Sequence, residues 1–196
     1  TCGLAATGYY SGEIALFDVR SGRCAGRIDA LGAAVKSLVF LPGGGLVAGL
    51  ADGRLVRLDP SRRKPVWERD GLTLVNSVAT DGRGGVFTVG RDRTIRRWDD
   101  AGNALARSDG HERSIKCVAV SPDGQRLATA SYDGQVLIWR AGREIALEAA
   151  CGLHEGPGVA CVVWTDDECV ASAGWDGTVR WWNDRGAFAV VRPEVA

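Results

Sequence analysis

Hydrophobic and polar residues alternate in short runs along most of the chain, and turns rich in glycine or aspartate separate the runs. One unit recurs: an alternating run, a turn with Asp-Gly or a related pair, and a second alternating run that ends in a bulky apolar residue. The copies of this unit are residues 10–18, 51–59, 91–99, 132–140 and 175–183. Alternation with a period of two predicts β-strands, because successive side chains of a strand point to opposite faces.

The bulky residue of each copy sets the length of the repeat. These residues are Phe17, Leu58, Trp98, Trp139 and Trp182, with spacings of 41, 40, 41 and 43, so that the repeats end near Asp18, Asp59, Asp99, Arg140 and Asn183. Four nearly continuous apolar runs predict innermost strands that neighbouring sheets cover on both sides. They are residues 35–40, 75–80, 115–120 and 159–164. Outer strands are predicted after the bulky residue, as at 143–147 and 187–191.

A period of about 40–45 residues, with Asp-Gly turns and a terminal Trp-Asp pair, is typical of a β-propeller blade. On these features the sequence resembles the WD-repeat (WD40) family over essentially the whole chain, most strongly over residues 75–183. The resemblance implies an all-β fold, a β-propeller of four-stranded antiparallel blades with about five WD-type repeats in a single domain, residues 1–196. The first two repeats end in a different style, at 16–18 and 57–59, which is similar to quinoprotein-type propeller repeats.

Propellers of this family usually have seven blades, and the first copy lacks its innermost strand because the chain begins in the second. An incomplete ring would expose strand edges that invite aggregation. We therefore expect the chain to be part of a larger ring of seven blades or more, completed by additional blades from the same or another chain. A closed five-bladed ring of this chain alone would contradict that expectation.

Two histidines are similar to the Gly-His element of WD repeats, in which His, a strand Ser or Thr, the turn Asp and the Trp form a structural hydrogen-bonded tetrad. The matching residues of repeat four are His111, Ser131, Asp133 and Trp139. Those of repeat five are His154, Asp176 and Trp182, with Gly174 aligned to Ser131, whereas repeats two and three keep only Asp52 and Asp92. A His, a Ser and an Asp also suggest a hydrolase triad. The structural role is favoured because the Asp recurs in four repeats and no G-x-S-x-G motif is present.

Two further positions per repeat carry candidate binding residues. The residues directly before the turn, or its equivalent, are Tyr10, Arg91, Tyr132 and Trp175, and the second residues of the innermost strands are Lys36, Asn76 and Lys116. In the family these positions lie on the face near the central channel. Tyr, Trp and Arg dominate binding hot spots. We therefore expect a cationic, aromatic rim that binds an acidic or aromatic peptide segment of a protein partner.

Composition narrows the class of partner. Lys plus Arg and Asp plus Glu both number 24, so the chain offers no general attraction to nucleic acid or to anionic membranes. No apolar run reaches the roughly 18 residues that a membrane helix needs. With two histidines and no C-x-x-C pair, neither a metal site nor a cofactor is expected. The six cysteines favour a reduced, cytoplasmic setting, and Cys117 and Cys161 align with Ser37 and Ser77 as small residues between blades.

These observations predict a non-enzymatic scaffold that binds proteins through the propeller rim. The chain could be the C-terminal sensor or scaffold part of a larger protein, and the analogy to bacterial multidomain proteins suggests a bacterial source. Two alternatives remain: an architectural subunit of a large assembly, and a quinoprotein-like propeller that binds a cofactor. The second would need a cluster of ligands in the channel, and the sequence shows no concentrated Glu, Asn or Asp set there.

Overall fold

The computed structural model describes residues 3–183 and 186–192, which form nineteen strands in five antiparallel sheets. Blade 1 contains β1 (Leu4–Gly8), β2 (Ile14–Asp18) and β3 (Cys24–Ile28). Blade 2 contains β4 (Val35–Phe40), β5 (Leu46–Leu50), β6 (Leu55–Asp59) and β7 (Lys64–Arg69). Blade 3 contains β8 (Val75–Thr80), β9 (Val86–Gly90), β10 (Thr94–Trp98) and β11 (Ala104–Asp109). Blade 4 contains β12 (Ile115–Val120), β13 (Arg126–Ser131), β14 (Gln135–Ala141) and β15 (Ile145–Leu153). Blade 5 contains β16 (Val159–Trp164), β17 (Val170–Gly174), β18 (Val179–Asn183) and β19 (Gly186–Val191).

Within each blade every strand pairs with the next one along the chain, which gives a simple antiparallel meander. The innermost strands pack in series, β4 against β8, β8 against β12 and β12 against β16, while β1 of blade 1 lies against β4. The predicted all-β propeller fold is confirmed, and the four innermost strands have the bounds that the apolar runs indicated. Across the described residues, blade 5 makes no extensive contact with blade 1.

The burial of the strands differs from the expectation that the innermost strand is covered on both sides. The second strand is the most deeply buried: β5 and β9 are buried along their whole length, whereas β12 buries only Ile115 and Val118 fully. A second strand is flanked by strands on both edges and by blades on both faces. The innermost strand pairs with the second strand along one edge, and its other edge has no strand neighbour in its own sheet, so it is less completely covered.

A β-bulge follows the first residue of each complete innermost strand. The pairing with the second strand skips one residue, between Val35 and Ser37 in β4, and the same shift recurs in β8, β12 and β16. A bulge re-aims the unpaired side chain and bends the strand. The skipped residues are Lys36, Asn76, Lys116 and Ala160. The bulge therefore turns three of the predicted rim residues out of the regular alternation.

The outer strands vary most. The predicted outer strand at 143–147 begins at Ile145 and continues to Leu153, because two bulges let β15 follow the full length of β14. Apolar clusters fill the spaces between blades, and some junctions are too tight for any side chain. A Cβ at Gly49 would lie 2.5 Å from Val75 Cγ1 of the next blade, so glycine is required for this close approach.

Candidate functional site

The residue before each turn is held in the same way in four blades. Its backbone N–H donates to the carbonyl of the residue that precedes the innermost strand of that blade. The donor–acceptor pairs are Ala51–Ala34 at 2.9 Å, Arg91–Leu74 at 3.1 Å, Tyr132–Ser114 at 3.0 Å and Trp175–Gly158 at 3.0 Å. This repeated bond fixes the second strand against the start of the innermost strand. The side chains at this position therefore emerge beside the bulge residues, on one rim of the propeller.

The bulge and the turn position bring cations and aromatic rings together. Lys36 Nζ lies 5.3 Å from the centre of the Tyr10 ring. Lys116 Nζ lies 4.9 Å from the centre of the Tyr132 ring, which in turn packs edge-on against Trp175 with 5.6 Å between ring centres. We call Lys116, Tyr132 and Trp175 the rim cluster. It spans the junction of blades 4 and 5, and Trp175 is 55% exposed.

The remaining predicted rim residues have different environments. Arg91 is exposed at the equivalent position of blade 3. Asn76 is not free to bind a partner, since its amide donates to Ser114 Oγ at 3.0 Å and to the Ile115 carbonyl at 2.7 Å. It therefore links blade 3 to blade 4. The seven predicted residues thus divide into one pair in blades 1 and 2, the rim cluster, an isolated arginine and a structural asparagine.

The acidic residues of the turns are bound within their own repeats. Asp52 pairs with Arg54 at 2.7 Å, Asp92 with Arg96 at 2.6 Å, and Asp176 with Arg180 at 3.0 Å. Each carboxylate is thereby neutralised by its own blade, although it directly follows a rim position. In blades 2, 3 and 5 the turn carboxylate is therefore paired with an arginine of its own blade and not with a lysine of the rim.

In blade 4 a chain of hydrogen bonds runs from the third strand to the turn. Trp139 Nε1–H donates to Thr129 Oγ1 at 2.8 Å, and Thr129 Oγ1 lies 2.8 Å from His111 Nε2. His111 Nδ1 lies 2.8 Å from Asp133 Oδ2. With the imidazole proton on Nδ1, the Thr129 hydroxyl donates to Nε2 and every group has a partner. The chain joins the loop before β12 to the turn between β13 and β14.

The sequence assigned the hydroxyl of this tetrad to Ser131, and that assignment is wrong. Thr129 occupies the place, while Ser131 Oγ donates to the Arg113 carbonyl at 3.1 Å. The two residues lie on the same face of β13, so an alignment error of two positions preserves the pattern of alternation. Thr129 is fully buried, and its hydroxyl bonds to both Trp139 and His111, so Thr129 supplies the bridging group.

The same correction changes blades 3 and 5. In blade 5 the hydroxyl comes from Ser172, which accepts a bond from Trp182 Nε1 at 2.7 Å and lies 2.7 Å from His154 Nε2. His154 Nδ1 lies 3.1 Å from both carboxylate oxygens of Asp176. Blade 5 thus has a complete tetrad. For blade 3 the sequence indicated the Asp alone. The structure adds a hydrogen bond from Trp98 Nε1–H to Thr88 Oγ1 at 2.9 Å.

Burial and hydrogen bonding act in opposite directions on the tetrad carboxyls. Desolvation opposes ionisation of Asp133, but hydrogen bonds from His111 and from backbone N–H groups outweigh it and hold the pKa below its ordinary value. For Asp176, desolvation is likewise outweighed by hydrogen bonds from Thr178 and His154, and its pKa is also lowered. Both carboxylates are therefore charged in the folded protein at neutral pH, as hydrogen-bond acceptors buried at the base of the turns.

The comparison with protein families agrees with this geometry. The family described as "WD domain, G-beta repeat" matches residues 102–140 and 150–183. Each matched segment contains one of the two complete tetrads. The chain belongs to the WD-repeat family.

Relatives of this WD-repeat chain come from several eukaryotes. It is 30% identical over 193 residues to a "Ribosome biogenesis protein WDR12 homolog" of Chlamydomonas reinhardtii, covering 72% of this chain and 40% of the relative. The protein of the same name from Drosophila mojavensis is 31% identical over 132 residues, covering 57% and 32%. "Telomerase protein component 1" of Rattus norvegicus is 28% identical over 198 residues, covering 91% and 7%. The chain thus spans two fifths or less of the length of these relatives.

Two expectations from the sequence are corrected by these relatives. The bacterial source is contradicted, since these relatives come from eukaryotes: Chlamydomonas, Drosophila and rat. The cytoplasmic setting is also contradicted, because the relatives are named for ribosome biogenesis, which in eukaryotes takes place in the nucleolus and nucleus. Both expectations depended on analogy and on general composition, which carry little information about source or compartment.

Within residues 3–183 and 186–192, no three His, Cys, Asp or Glu side chains converge as metal ligands. The same residues include no helix that is long and apolar enough to cross a membrane.

Proposed function

We propose that this WD-repeat chain is a non-enzymatic scaffold within a large assembly and that its rim cluster binds an acidic peptide segment of a protein partner. The observation that carries the proposal is the convergence of Lys116, Tyr132 and Trp175 at one blade junction. The family and the relatives support protein partners in a complex. The names of those relatives favour an assembly concerned with ribosome biogenesis.

The rim cluster combines the properties of a binding hot spot. Its aromatic rings pack edge to face, and the ammonium group lies over one of them, so the three side chains support one another before a ligand arrives. A carboxylate of the partner would pair with Lys116, and an apolar or aromatic side chain would cover the exposed face of Trp175. Because these side chains are already ordered by their mutual contacts, they lose less conformational entropy on binding than freely rotating side chains would.

The absence of an enzymatic role is supported by the way the tetrads are used. The His, Thr or Ser, and Asp groups that could suggest a triad are buried, and the hydroxyl already accepts a bond from a tryptophan N–H. A nucleophilic hydroxyl must reach a substrate carbonyl. The hydroxyls of Thr129 and Ser172 are instead enclosed between an indole and an imidazole, which suits a structural role.

Binding of labelled peptides to the purified chain tests the rim proposal. We expect an acidic peptide that contains an aromatic residue to bind, and a peptide with lysines in place of the acids not to bind. Trp175→Ala should weaken binding about tenfold or more, as expected for a central aromatic contact. Lys116→Glu should weaken it further and reduce its dependence on salt. The exclusion of nucleic acid stays a prediction, which an RNA oligonucleotide in the same assay would test.

The matched control is Phe188→Ala, an exposed aromatic residue on the outer strand of blade 5. It should leave peptide affinity unchanged. Equal binding by the wild type and Trp175→Ala, or equal binding of acidic and basic peptides, would contradict the rim proposal.

A second observation favours the architectural alternative and the completion of the ring. A set of small and apolar residues on the face of blade 4 next to blade 5 is covered by blade 5. They include Cys117, Ala119, Ala128, Ala130 and Ile138. The register of blade 5 places Cys161, Val163, Ala171, Ala173 and Trp181 at the same positions. Ala128 and Ala130 are fully buried, whereas Ala171 and Ala173 at the same positions of blade 5 are only half-buried, and Val163 is 49% exposed.

We propose that a further WD-type blade covers this face of blade 5. The same positions in blade 4 pack against Val159, Val162 and Val170 of the innermost and second strands of blade 5. An occupant with the same pattern of residues would bury the face in the same way. Exposed apolar surface of this kind is a common mark of an interface.

Native mass spectrometry of the chain tests this second proposal. We expect a defined oligomer or a complex with a chain that supplies blades, and Val163→Asp should abolish it by placing a charge in the covered face. Val66→Asp, at an exposed position of β7, is the control and should have no effect. A stable wild-type monomer that Val163→Asp does not change would contradict the proposal.

A further inference from the structure

Four residues occupy the same place on the innermost strands, directly after the bulge. They are Ser37, Ser77, Cys117 and Cys161. At the first two junctions the serine hydroxyl accepts a hydrogen bond from the next innermost strand, from Val78 N–H at 3.1 Å and from Val118 N–H at 3.3 Å. The side chains of Ser37 and Ser77 therefore lie against the neighbouring blade, and the four members form a row along successive innermost strands.

At the junction of blades 4 and 5 the row brings two thiols together. The sulfur atoms of Cys117 and Cys161 are 3.9 Å apart, and the Cys117 thiol also lies 3.5 Å from the Val162 carbonyl. Cys117 is half-buried and Cys161 is exposed, and neither is in a disulfide. This is the junction that carries the rim cluster, since Lys116 directly precedes Cys117.

We propose that Cys117 and Cys161 form an inter-blade dithiol site that hydroperoxides oxidise to a disulfide. The substrate class is a small peroxide, because the site lies at a blade junction with one exposed sulfur. This inference does not depend on the peptide-binding role of the rim.

The two thiols differ in a way that assigns their roles. The S–H of Cys117 hydrogen-bonds the sulfur of Cys161, which lowers the pKa of Cys161. The same hydrogen bond, together with burial, raises the pKa of Cys117. The exposed sulfur is therefore the one that ionises, and a thiolate is the form of cysteine that attacks peroxides.

The reaction proceeds in two balanced steps. The Cys161 thiolate attacks one oxygen of hydrogen peroxide, the O–O bond breaks, and the departing hydroxide takes the proton that the thiol released, giving a sulfenic acid and water. Cys117 then loses its proton and attacks the sulfenic sulfur, and the hydroxide that leaves becomes a second water. Two thiols and one peroxide thus yield one disulfide and two waters, with two electrons transferred to the peroxide.

The change in structure that this reaction requires is small. A disulfide has sulfur atoms about 2.0 Å apart, so the two sulfurs must approach by about 1.9 Å through rotation of their side chains. The product joins the innermost strands of blades 4 and 5. It would hold together the two blades on which the rim cluster lies.

Peptide mapping of the oxidised chain tests the proposal. The purified protein is treated with one equivalent of hydrogen peroxide, its remaining thiols are alkylated, and it is digested without reduction. Trypsin together with a glutamate-specific protease places Cys117 in peptide 117–126, Cys161 in 156–168, and the nearby Cys151 and Cys169 in 149–155 and 169–180. We expect 117–126 to be linked to 156–168, with the loss of two hydrogen atoms.

Serine variants are the matched controls, because Ser37 and Ser77 show that this place accepts serine. Cys117→Ser and Cys161→Ser should both fold and should not form the link, and Cys161 in Cys117→Ser should stop at the sulfenic acid, which a dimedone probe detects. Cys151→Ser should form the link as the wild type does, since burial raises the pKa of that thiol to about 11. If oxidation leaves both cysteines alkylatable, or links Cys117 to another peptide, the proposal is wrong.

Discussion

Blades 2 and 4 have the same strand order and equally buried second strands, but different groups hold their turns. In blade 4 the Trp139–Thr129–His111–Asp133 chain joins the turn to the loop before the innermost strand. Blade 2 has apolar residues at the corresponding Trp and Thr positions, Leu58 and Ala48, both fully buried. Its turn Asp52 pairs with Arg54, which also reaches Glu68 at 3.2 Å.

This comparison separates what forms a blade from what fixes its rim. Strand alternation and apolar packing are enough to form blade 2, which lacks a tetrad. The complete tetrads occur in blades 4 and 5, and their carboxylates belong to Asp133 and Asp176, which directly follow Tyr132 and Trp175 of the rim cluster. The tetrads therefore hold the turns that carry the aromatic contact residues. They add positional precision to a fold that the apolar core already supports.

The largest expected effect comes from removal of the bridging hydroxyl. Thr129→Val keeps the shape of the side chain but leaves Trp139 Nε1 and His111 Nε2 without their partner. Because an unsatisfied buried polar group costs about 1–3 kcal/mol, we expect the free energy of unfolding to fall by about 3 kcal/mol. Thr88→Val in blade 3, where only Trp98 loses a partner, should cost about half as much. Urea unfolding measures both.

Ser131→Ala is the control for the corrected assignment and should cost about 1–2 kcal/mol, since the hydroxyl donates to the Arg113 carbonyl and accepts from the Asp133 N–H. If Ser131→Ala were as destabilising as Thr129→Val, the bridging role would not belong to Thr129.

The contrast between these two residues shows how far the sequence could go. A hydroxyl at either position satisfies the alternation of β13, and the family pattern leaves a choice between positions two residues apart. Only the three-dimensional distances distinguish them. A check on spacing could have found the answer, because Thr129, Ser172 and Thr88 all lie ten residues before their tryptophans. The fold itself was predictable because five copies had to agree.

The rim was predictable in part. The shared position before the turn is local in sequence, so Tyr132 and Trp175 could be assigned to one face. The contact between these two rings, and that of Tyr132 with Lys116, depend on a bulge and on the angle between blades, which the residue pattern does not show. Asn76 occupies the same position in its repeat as Lys116, yet its amide donates hydrogen bonds to the neighbouring blade. The short amide side chain ends beside the Ile115 carbonyl, whereas a lysine side chain is longer.

A smaller effect should appear as a dependence on pH. Asp133 has a lowered pKa in the folded protein, so its contribution to stability is present above its unfolded pKa of about 3.9 and is lost as the pH falls below that value. Asp133→Asn should lower the free energy of unfolding by about 1–2 kcal/mol at pH 7. The difference from the wild type should shrink between pH 5 and pH 3. A difference that stays constant over this range would show that the carboxylate charge is not what stabilises the turn.

The smallest expected effect concerns the turn of blade 3, and here the variant should be more stable than the wild type. Arg93 has φ +66°, in the left-handed region where blades 2 and 4 have Gly53 and Gly134 with φ +92° and +85°. A side chain in this region costs about 1 kcal/mol. Glycine removes that cost, but its unfolded chain is more flexible and loses more entropy on folding, so only part of it is recovered. We expect Arg93→Gly to raise the free energy of unfolding by about 0.5 kcal/mol.

Arg93→Ala separates the backbone from the side chain in that experiment. It removes the long contact of Arg93 with the Glu112 carbonyl, 3.5 Å, but keeps a Cβ in the strained conformation. If the gain comes from the backbone, alanine should be no more stable than arginine. An equal gain for alanine and glycine would instead mean that the arginine side chain itself is unfavourable there. The turn of blade 3 would then differ from the other turns through its charge rather than through its geometry.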